Sequence, residues 1–410
     1  MNSSKPTMNR GNCTLKISLA APQGWSYIAG DAVIGIVSRH APTVTSEATV
    51  KLALRGRVKT QVTKGSGAPY DRHQEGPIYK QLLLPEQHTL FQGPLHIPDN
   101  NDSVYWPFEI RMSPYSQDSE FQFNGDLLPS WEEIASSRLP GTFCSVGSSS
   151  SACWVEYYLE AEMRYVERGE QKVYTSTCPV QVRHSPDTIF TGFGRQRRTL
   201  NRSIRGQQLL SVVHHEERSF VRRTREFFIH PSNSAPELHY KVEVYAPATV
   251  QLGNLSNIPY KLKFELLPQT SNALRGIELK VLFNSAKFVI RSETRVTAGT
   301  SVHSPSSIHC SLVDLGLEEA FRRLDAFPLM IPLTDKSQTL NLGKMLQLTL
   351  HASGLKAGEK DVAATGHITP TFSTHTLRHL NTLQAEFSVT VAGYTTRLHA
   401  STPMNILAEL

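Results

Sequence analysis

Tyr260, Leu262, Phe264 and Leu266 alternate with Lys261, Lys263 and Glu265 directly after the turn-like stretch GNLSNIP at 253–259. Side chains on a strand point to opposite faces at period two, so the spacing predicts a strand with one dry and one wet face. The same alternation places Cys13, Leu15, Ile17 and Leu19 against Thr14, Lys16 and Ser18. It also places Val155, Tyr157, Leu159, Ala161 and Met163 against Glu156, Glu160, Glu162 and Arg164. Later sets are Ile277, Leu279, Val281 and Phe283, then Leu346, Leu348 and Leu350, then Leu383, Ala385, Phe387, Val389 and Val391. Runs of this kind, broken by Gly, Pro, Asn and Ser clusters, predict antiparallel sheets with one buried face, stacked as sandwiches. An α/β fold would need helical patterns of about 10–15 residues between strands, and these are nearly absent. Only PSWEEIASSRL at 129–139 and LEEAFRRL at 317–324 read as short helices.

Length turns one sandwich into two. A chain of 410 residues suits two domains of about 150–200 residues each. A hydrophobic share of 39% with 19% charged residues is that of a globular chain able to bury two cores, and excludes a disordered one. The start, MNSSKPTMNRGNC, has no apolar run behind its charges, and no later window reaches the roughly 18 apolar residues of a membrane span. A cytoplasmic protein is expected. The five cysteines, Cys13, Cys144, Cys153, Cys178 and Cys310, are odd in number and unevenly spaced, which fits incidental thiols better than a disulfide framework.

Charge adds one local feature. The net charge is +6, yet ten arginines stand against Asp187, Glu216 and Glu217 between Arg183 and Arg225. The rest of the chain is close to neutral. The basic excess therefore sits mid-chain, where a domain boundary is expected, and 187–235 reads as a basic linker.

Catalytic and cofactor signatures are missing. There is no GxxxxGK[ST] phosphate loop, and Gly192-Phe-Gly194 lacks the rest of a dinucleotide fingerprint. Neither GxSxG nor HExxH occurs, and His214-His215-Glu216-Glu217 has the right residue types at the wrong spacing. Cys144 and Cys153 fit no common zinc spacing, and His309 and Cys310 are adjacent, so on a strand they face opposite sides. No catalytic residue, cofactor or metal is expected.

Seven segments then appear in a telling order: YIAGDAVIGIV (27–37), TVKLALRGRVKTQV (49–62), TLFQGPLHIP (89–98), WPFEIRMSP (106–114), GDLLPSW (125–131), WVEYYLEAEM (154–163) and CPVQVRHSP (178–186). Their order resembles the arrestin N-terminal domain, in the divergent form of fungal α-arrestin-related proteins. Within them Gly30-Asp31 reads as a turn into a strand, Gly35 as a close approach or bulge, Gly56 as a strand break and Pro107 as a strand start. Residues 239–266, HYKVEVYAPATVQLGNLSNIPYKLKFEL, resemble the first strands of an arrestin C-terminal domain, and 367–393 with Pro403–Leu407 its closing strands. Residues 295–345 match poorly. The resemblance implies an all-β chain of two tandem immunoglobulin-like, arrestin-type antiparallel β-sandwich domains at 11–186 and 236–410.

The resemblance also implies a non-enzymatic adaptor that links the cytoplasmic tails of membrane proteins to endocytic or ubiquitin-dependent trafficking, with recruitment to the plasma membrane or endosomes. Many α-arrestins recruit HECT-type ubiquitin ligases through PPxY motifs that dock in extended form. This chain has none; Gly76-Pro77-Ile78-Tyr79 lacks the first proline, and the chain ends three residues after Leu407. Arg195, Arg197, Arg198, Arg202 and Arg205 are the candidate contact for an anionic partner, acidic lipid headgroups or a phosphorylated cargo tail. The alternatives are an enzyme or small-ligand binder on a β-sandwich, marked by a pocket of convergent His, Asp or Ser, and a nucleic-acid binder. The last ranks lowest, because stacking-aromatic motifs and a basic helix are missing.

Overall fold

Most of the alternating segments form strands in the computed structural model, which describes residues 15–62, 78–84, 87–98, 103–115, 138–146, 151–185, 190–206, 209, 236–274, 277–297, 306–323, 328–362, 365–374 and 376–409; Cys13 and Thr14 lie outside the described residues, and Ile277 precedes its strand. The fold is all-β with antiparallel sheets and two compact units, each around its own core. One unit holds the described residues up to Ser185 together with those of Thr294–His309 and Phe372–His379. The other holds those of Pro186–Glu293, Cys310–Thr371 and Leu380–Leu410.

The strands of the N-terminal half are β1 (Leu15–Leu19), β2 (Ser26–Tyr27), β3 (Ala32–Arg39), β4 (Thr43–Gln61), β5 (Ile78–Leu84), β6 (Gln87–Ile97), β7 (Val104–Arg111), β8 (Phe143–Val146), β9 (Ala152–Glu167) and β10 (Glu170–Val182). A small sheet runs β1-β3-β7, and a larger one runs β2-β10-β9-β4-β5 with β6 also on β4 and β8 on β9. Val33, Val37, Phe108 and Ile110 of the small sheet share one core with Leu52, Leu54, Leu159 and Met163 of the larger. They lie an even number of residues apart along their strands, as a shared face requires, although in β3 the outward-facing Ile34 and Ile36 are apolar as well and remain exposed.

Particular residues explain the turns and close contacts. Gly30 takes a positive φ of 100°, and the Asp31 carboxylate accepts from the Ile28 N–H at 2.9 Å, which turns the chain into β3. A Cβ on Gly35 would lie 2.4 Å from the Ser18 carbonyl and 2.7 Å from the Phe108 ring. Gly56 does not end its strand: β4 continues, and the glycine marks a register shift against β5, a local irregularity that spares the β9 side. Pro107 lies inside β7 rather than at its start, which an edge strand tolerates because one side needs no N–H. The Tyr157 hydroxyl donates to the Pro140 carbonyl at 2.6 Å inside the core. Arg39, only 1% exposed, donates from Nε to Thr43 at 2.8 Å and lies 4.5 Å over the Tyr174 ring.

The C-terminal half forms β11 (Arg195–Arg205), β12 (Glu237–Pro247), β13 (Thr249–Gln251), β14 (Lys261–Leu266), β15 (Leu279–Thr297), β16 (Ser306–Asp314), β17 (Leu329–Leu333), β18 (Gln338–Asn341), β19 (Leu348–His351), β20 (Gly354–Ala357), β21 (Lys360–Asp361), β22 (Phe372–Ser373), β23 (Leu377–Val391) and β24 (Tyr394–Leu407). Their sheets run β11-β12-β14-β18, then β13-β24-β23-β15-β16 with β17 on β15 and β22 on β23, then β19-β20-β21. Tyr260, Leu262, Phe264 and Leu266 are buried and the charged residues between them are not. The Tyr260 ring packs 4.5 Å from Phe288, and burial pushes its hydroxyl well above the usual phenol range.

Helix α1 (Leu317–Arg323) forms where LEEAFRRL predicts it, while most of 129–139 lies outside the described residues. Leu346 is not in a strand with Leu348: it closes helix α2 (Leu342–Met345), its N–H bonding the Leu342 carbonyl at 3.0 Å. A single turn of helix and a strand can both put an apolar residue two positions before the next, so alternation over so short a run does not separate them.

Candidate functional site

Within the arginine-rich segment, the described stretch Arg195–Arg205 is a strand and not a linker. Arg195–Arg205 pairs antiparallel with β12 along its whole length, from Arg195 opposite Pro247 to Arg205 opposite Glu237. The reason is visible at Leu200 and Ile204, which reach the core of their unit at even spacing while the arginines stay in water. The dense positive charge hides that weak alternation. Of the remainder of 187–235, only 190–194, Gly206 and Leu209 are described.

Strand geometry then sorts the five candidate arginines. Arg195, Arg197 and Arg205 share the outer face with Thr199, Asn201 and Ser203, whereas Arg198 and Arg202 lie on the side of Leu200 and Ile204. Arg202 is near enough to the Tyr240 hydroxyl to oppose the upward push of burial on it. On the outer face Arg195 and Arg197 are neighbours, while Arg205 lies about 27 Å further along the strand.

Register brings in lysines that the sequence left on separate segments. Arg197 stands opposite Tyr245, Tyr245 opposite Lys261, and Lys261 opposite Asn341. The next row is Thr199, Glu243, Lys263 and Thr339, followed by Asn201, Lys241 and Glu265. The outer face of β11-β12-β14-β18 thus carries Arg195, Arg197, Arg205, Lys241, Lys261 and Lys263 against Glu237, Glu243 and Glu265. Lys261 and Lys263 were legible as a wet strand face; their nearness to the arginines was not, because it passes through β12.

Glu243 organises the centre of this face. It is 2% exposed, covered by the groups it binds. Its carboxylate accepts from Arg197 Nη2 at 2.7 Å and from the Tyr245 hydroxyl at 2.7 Å, and pairs with Lys241 Nζ at 3.1 Å. Burial alone would raise its pKa, yet the Tyr245 hydrogen bond and the two cations outweigh that and hold it below the usual range. Lys241 also pairs with Glu265 at 3.1 Å. Arg195, Lys261 and Lys263 have no ion-pair partner among the described residues and are left to act on something outside the sheet.

The sign of a hidden enzyme would be convergent His, Ser or Asp in a pocket. In the first unit His309 bonds Ser145 at 3.1 Å and Ser151 at 2.7 Å, and Ser151 in turn reaches Ser307 at 2.9 Å. Ser151 is 1% exposed, however, and no described cavity opens onto it. A trough on the small sheet is lined by Ser18, Ile34, Gly35, Ile36, Pro107 and Glu109 and gathers no such set. A void of about 10 Å³ in the other core, beside Tyr260 and Phe288, holds a single water at most. No group of three or more metal-ligating side chains occurs among the described residues, and none of their helices is long and apolar enough to cross a membrane. The four described cysteines are free, and burial pushes the Cys153 thiol up to about 12.

No family model matches the chain, and no curated protein matches it.

Proposed function

We propose that the chain is a non-catalytic adaptor of arrestin type, which brings the cytoplasmic tail of a membrane protein to trafficking machinery, and that the outer face of β11-β12-β14-β18 rests on anionic lipid headgroups. The adaptor part rests on the ordered arrestin-like segments and on fold analogy, which by itself does not carry function. The membrane part rests on one observation: cations are spread over three neighbouring strands, in two dimensions, and exceed the glutamates among them. Such an array matches a flat anionic surface better than a single extended chain. A nucleic acid would want stacking aromatics, and the aromatic of this face, Tyr245, is tied to Glu243.

Charges on an edge strand also serve simply to prevent edge-to-edge pairing, and β11 ends its sheet among the described residues. That role does not extend to Lys261 and Lys263, two strands further in. The test is therefore co-sedimentation with vesicles of phosphatidylcholine alone or with phosphatidylserine, comparing the chain with the triple variant Arg195→Gln, Lys261→Gln, Lys263→Gln. These changes leave the Arg197–Glu243 pair intact. Each cation near an acidic bilayer contributes about 1 kcal/mol, so the variant should bind about a hundredfold more weakly. Binding should also fade with salt as the screening length falls from ~10 Å at 0.1 M to ~3 Å at 1 M. Equal sedimentation of both proteins, or none at low salt, ends the membrane assignment. Capture of a phosphopeptide by the wild type alone, without vesicle binding, would move the contact to phosphorylated tails.

A further inference from the structure

In the first unit, distant stretches of chain meet around two imidazoles, His379 buried and His184 half-buried. His184, just after β10, accepts at Nδ1 from the Gly141 N–H at 3.2 Å. A Cβ on Gly141 would lie 2.7 Å from that ring, so the contact needs glycine. His379, on β23 and 4% exposed, has Nδ1 2.9 Å from the Thr294 hydroxyl, and its Nε2 is buried with no hydrogen-bond partner among the described residues. Phe372 stands opposite His379 in the β22–β23 pairing, its ring nearly parallel at 5.6 Å. The Phe372 centroid is also 5.2 Å from His184 and 5.1 Å from Phe143, and Phe143 is 5.3 Å from His379.

The chemistry of these bonds fixes the charge state. A backbone N–H only donates, so His184 Nδ1 must be the lone-pair nitrogen and Nε2 carries the proton. A second proton would go to Nδ1 and set donor against donor. At His379 it would complete a cation among phenylalanines, on a ring that already leaves one nitrogen without a partner.

The surroundings supply no compensation. From β9, Tyr157 is occupied by the Pro140 carbonyl and Cys153 is a neutral thiol. From β8, Ser145 leads only to His309, which burial also keeps below the usual imidazole range. Thr294 on β15 is uncharged. Arg378 pairs with Ser373 in the β22–β23 register and so points to the other face of its strand, and Arg183 brings more positive charge beside His184 in the chain. No carboxylate among the described residues acts on either ring, and the one charge acting on His184 is that of His379.

We propose that His184 and His379 form an acid-released clasp, which at neutral pH holds the Phe372–His379 segment against Gly141 and Phe143 and frees it when the rings protonate. Burial brings both imidazoles down to about 4, against about 6.5 in water. The open form therefore takes up protons first. Opening is favoured progressively as pH falls below about 6.5, and the effect levels off below about 4. At pH near 5 each ring multiplies the open-to-closed ratio about twentyfold relative to neutral pH.

Hydrogen exchange of the full chain, corrected for intrinsic rates, tests this between about pH 7.5 and pH 5, the range in which an unperturbed imidazole changes charge. Protection at 141–143, 372–374 and 376–379 should fall more than tenfold, while β12 and β14 keep theirs. In the double variant His184→Asn, His379→Asn the amide oxygen can stand where Nδ1 stood, bonding Gly141 and Thr294 without titrating, and the fall should vanish. An equal fall in the variant, or none in the wild type, overturns the clasp. Should the variant fail to fold, ring titration of the wild type by NMR decides: midpoints below about 5.5 for both histidines support it, and a midpoint near 6.5 for either refutes it.

Discussion

Leu262 and Lys263 are chain neighbours that a single carboxylate should treat very differently. Leu262 has no exposed surface and lies between Val244 and Leu340 across the sheet. Leu262→Asp loses the burial of the leucine, about 2 kcal/mol. The new carboxyl cannot stay ionised there, and holding it neutral at pH 7 from a normal value near 3.9 costs about 4 kcal/mol more. The total, about 6 kcal/mol, approaches the ~5–15 kcal/mol that holds a domain together. Lys263 is half-exposed opposite Glu243, so Lys263→Asp adds a like-charge cross-strand pair of about 0.2–1 kcal/mol. That should lower the melting temperature by about 2–4 °C at most. All four tryptophans, Trp25, Trp106, Trp131 and Trp154, precede Ser185 in the chain, so fluorescence would miss the event. Scanning calorimetry with hydrogen exchange on β12 and β23 is the suitable assay. Acid supplies a second signature: at pH 5 the penalty at Leu262 shrinks by about 3 kcal/mol, because less free energy is needed to protonate the carboxyl. Equal destabilisation by the two substitutions would refute the facing of β14 and, with it, the basic sheet face.

Three further outcomes follow from the first unit. Gly35→Ala should destabilise it by about 1–3 kcal/mol in a denaturant titration, since the Ser18 carbonyl, 2.4 Å from the added carbon, is backbone and cannot swing away. Tyr157→Phe should cost about 1–3 kcal/mol by the same measurement, because the Pro140 carbonyl loses its buried 2.6 Å donor; no change would mean that water replaces it. Arg39→Lys should lower the melting temperature although the charge is kept, for an ammonium cannot both lie flat over Tyr174 and donate to Thr43 as the guanidinium does; an unchanged transition would show that charge alone matters there.

Period-two alternation was enough to predict an all-β chain and to choose the buried face of β9, β14 and β23. These are local properties, set by which side chains a pleated strand sends to one side. The turn at Gly30-Asp31 and the tight approach at Gly35 were legible for the same reason, since the demand on the backbone falls on the residue itself. Alternation failed where another signal covered it or the run was short: arginine density hid Leu200 and Ile204, and Leu346 belonged to a turn of helix. What no reading of the chain alone could supply was adjacency across strands. Lys261 joins Arg197 only because β12 pairs with both of their strands, and Glu243 is buried only because Arg197, Lys241 and Tyr245 close over it. Phe372 and His379 join Gly141 and His184 from more than 180 residues away because stretches of the C-terminal half complete the first core. Sequence fixes what each strand can offer to a face; which strands lie side by side depends on long-range pairing, whose free energy is a property of the whole fold.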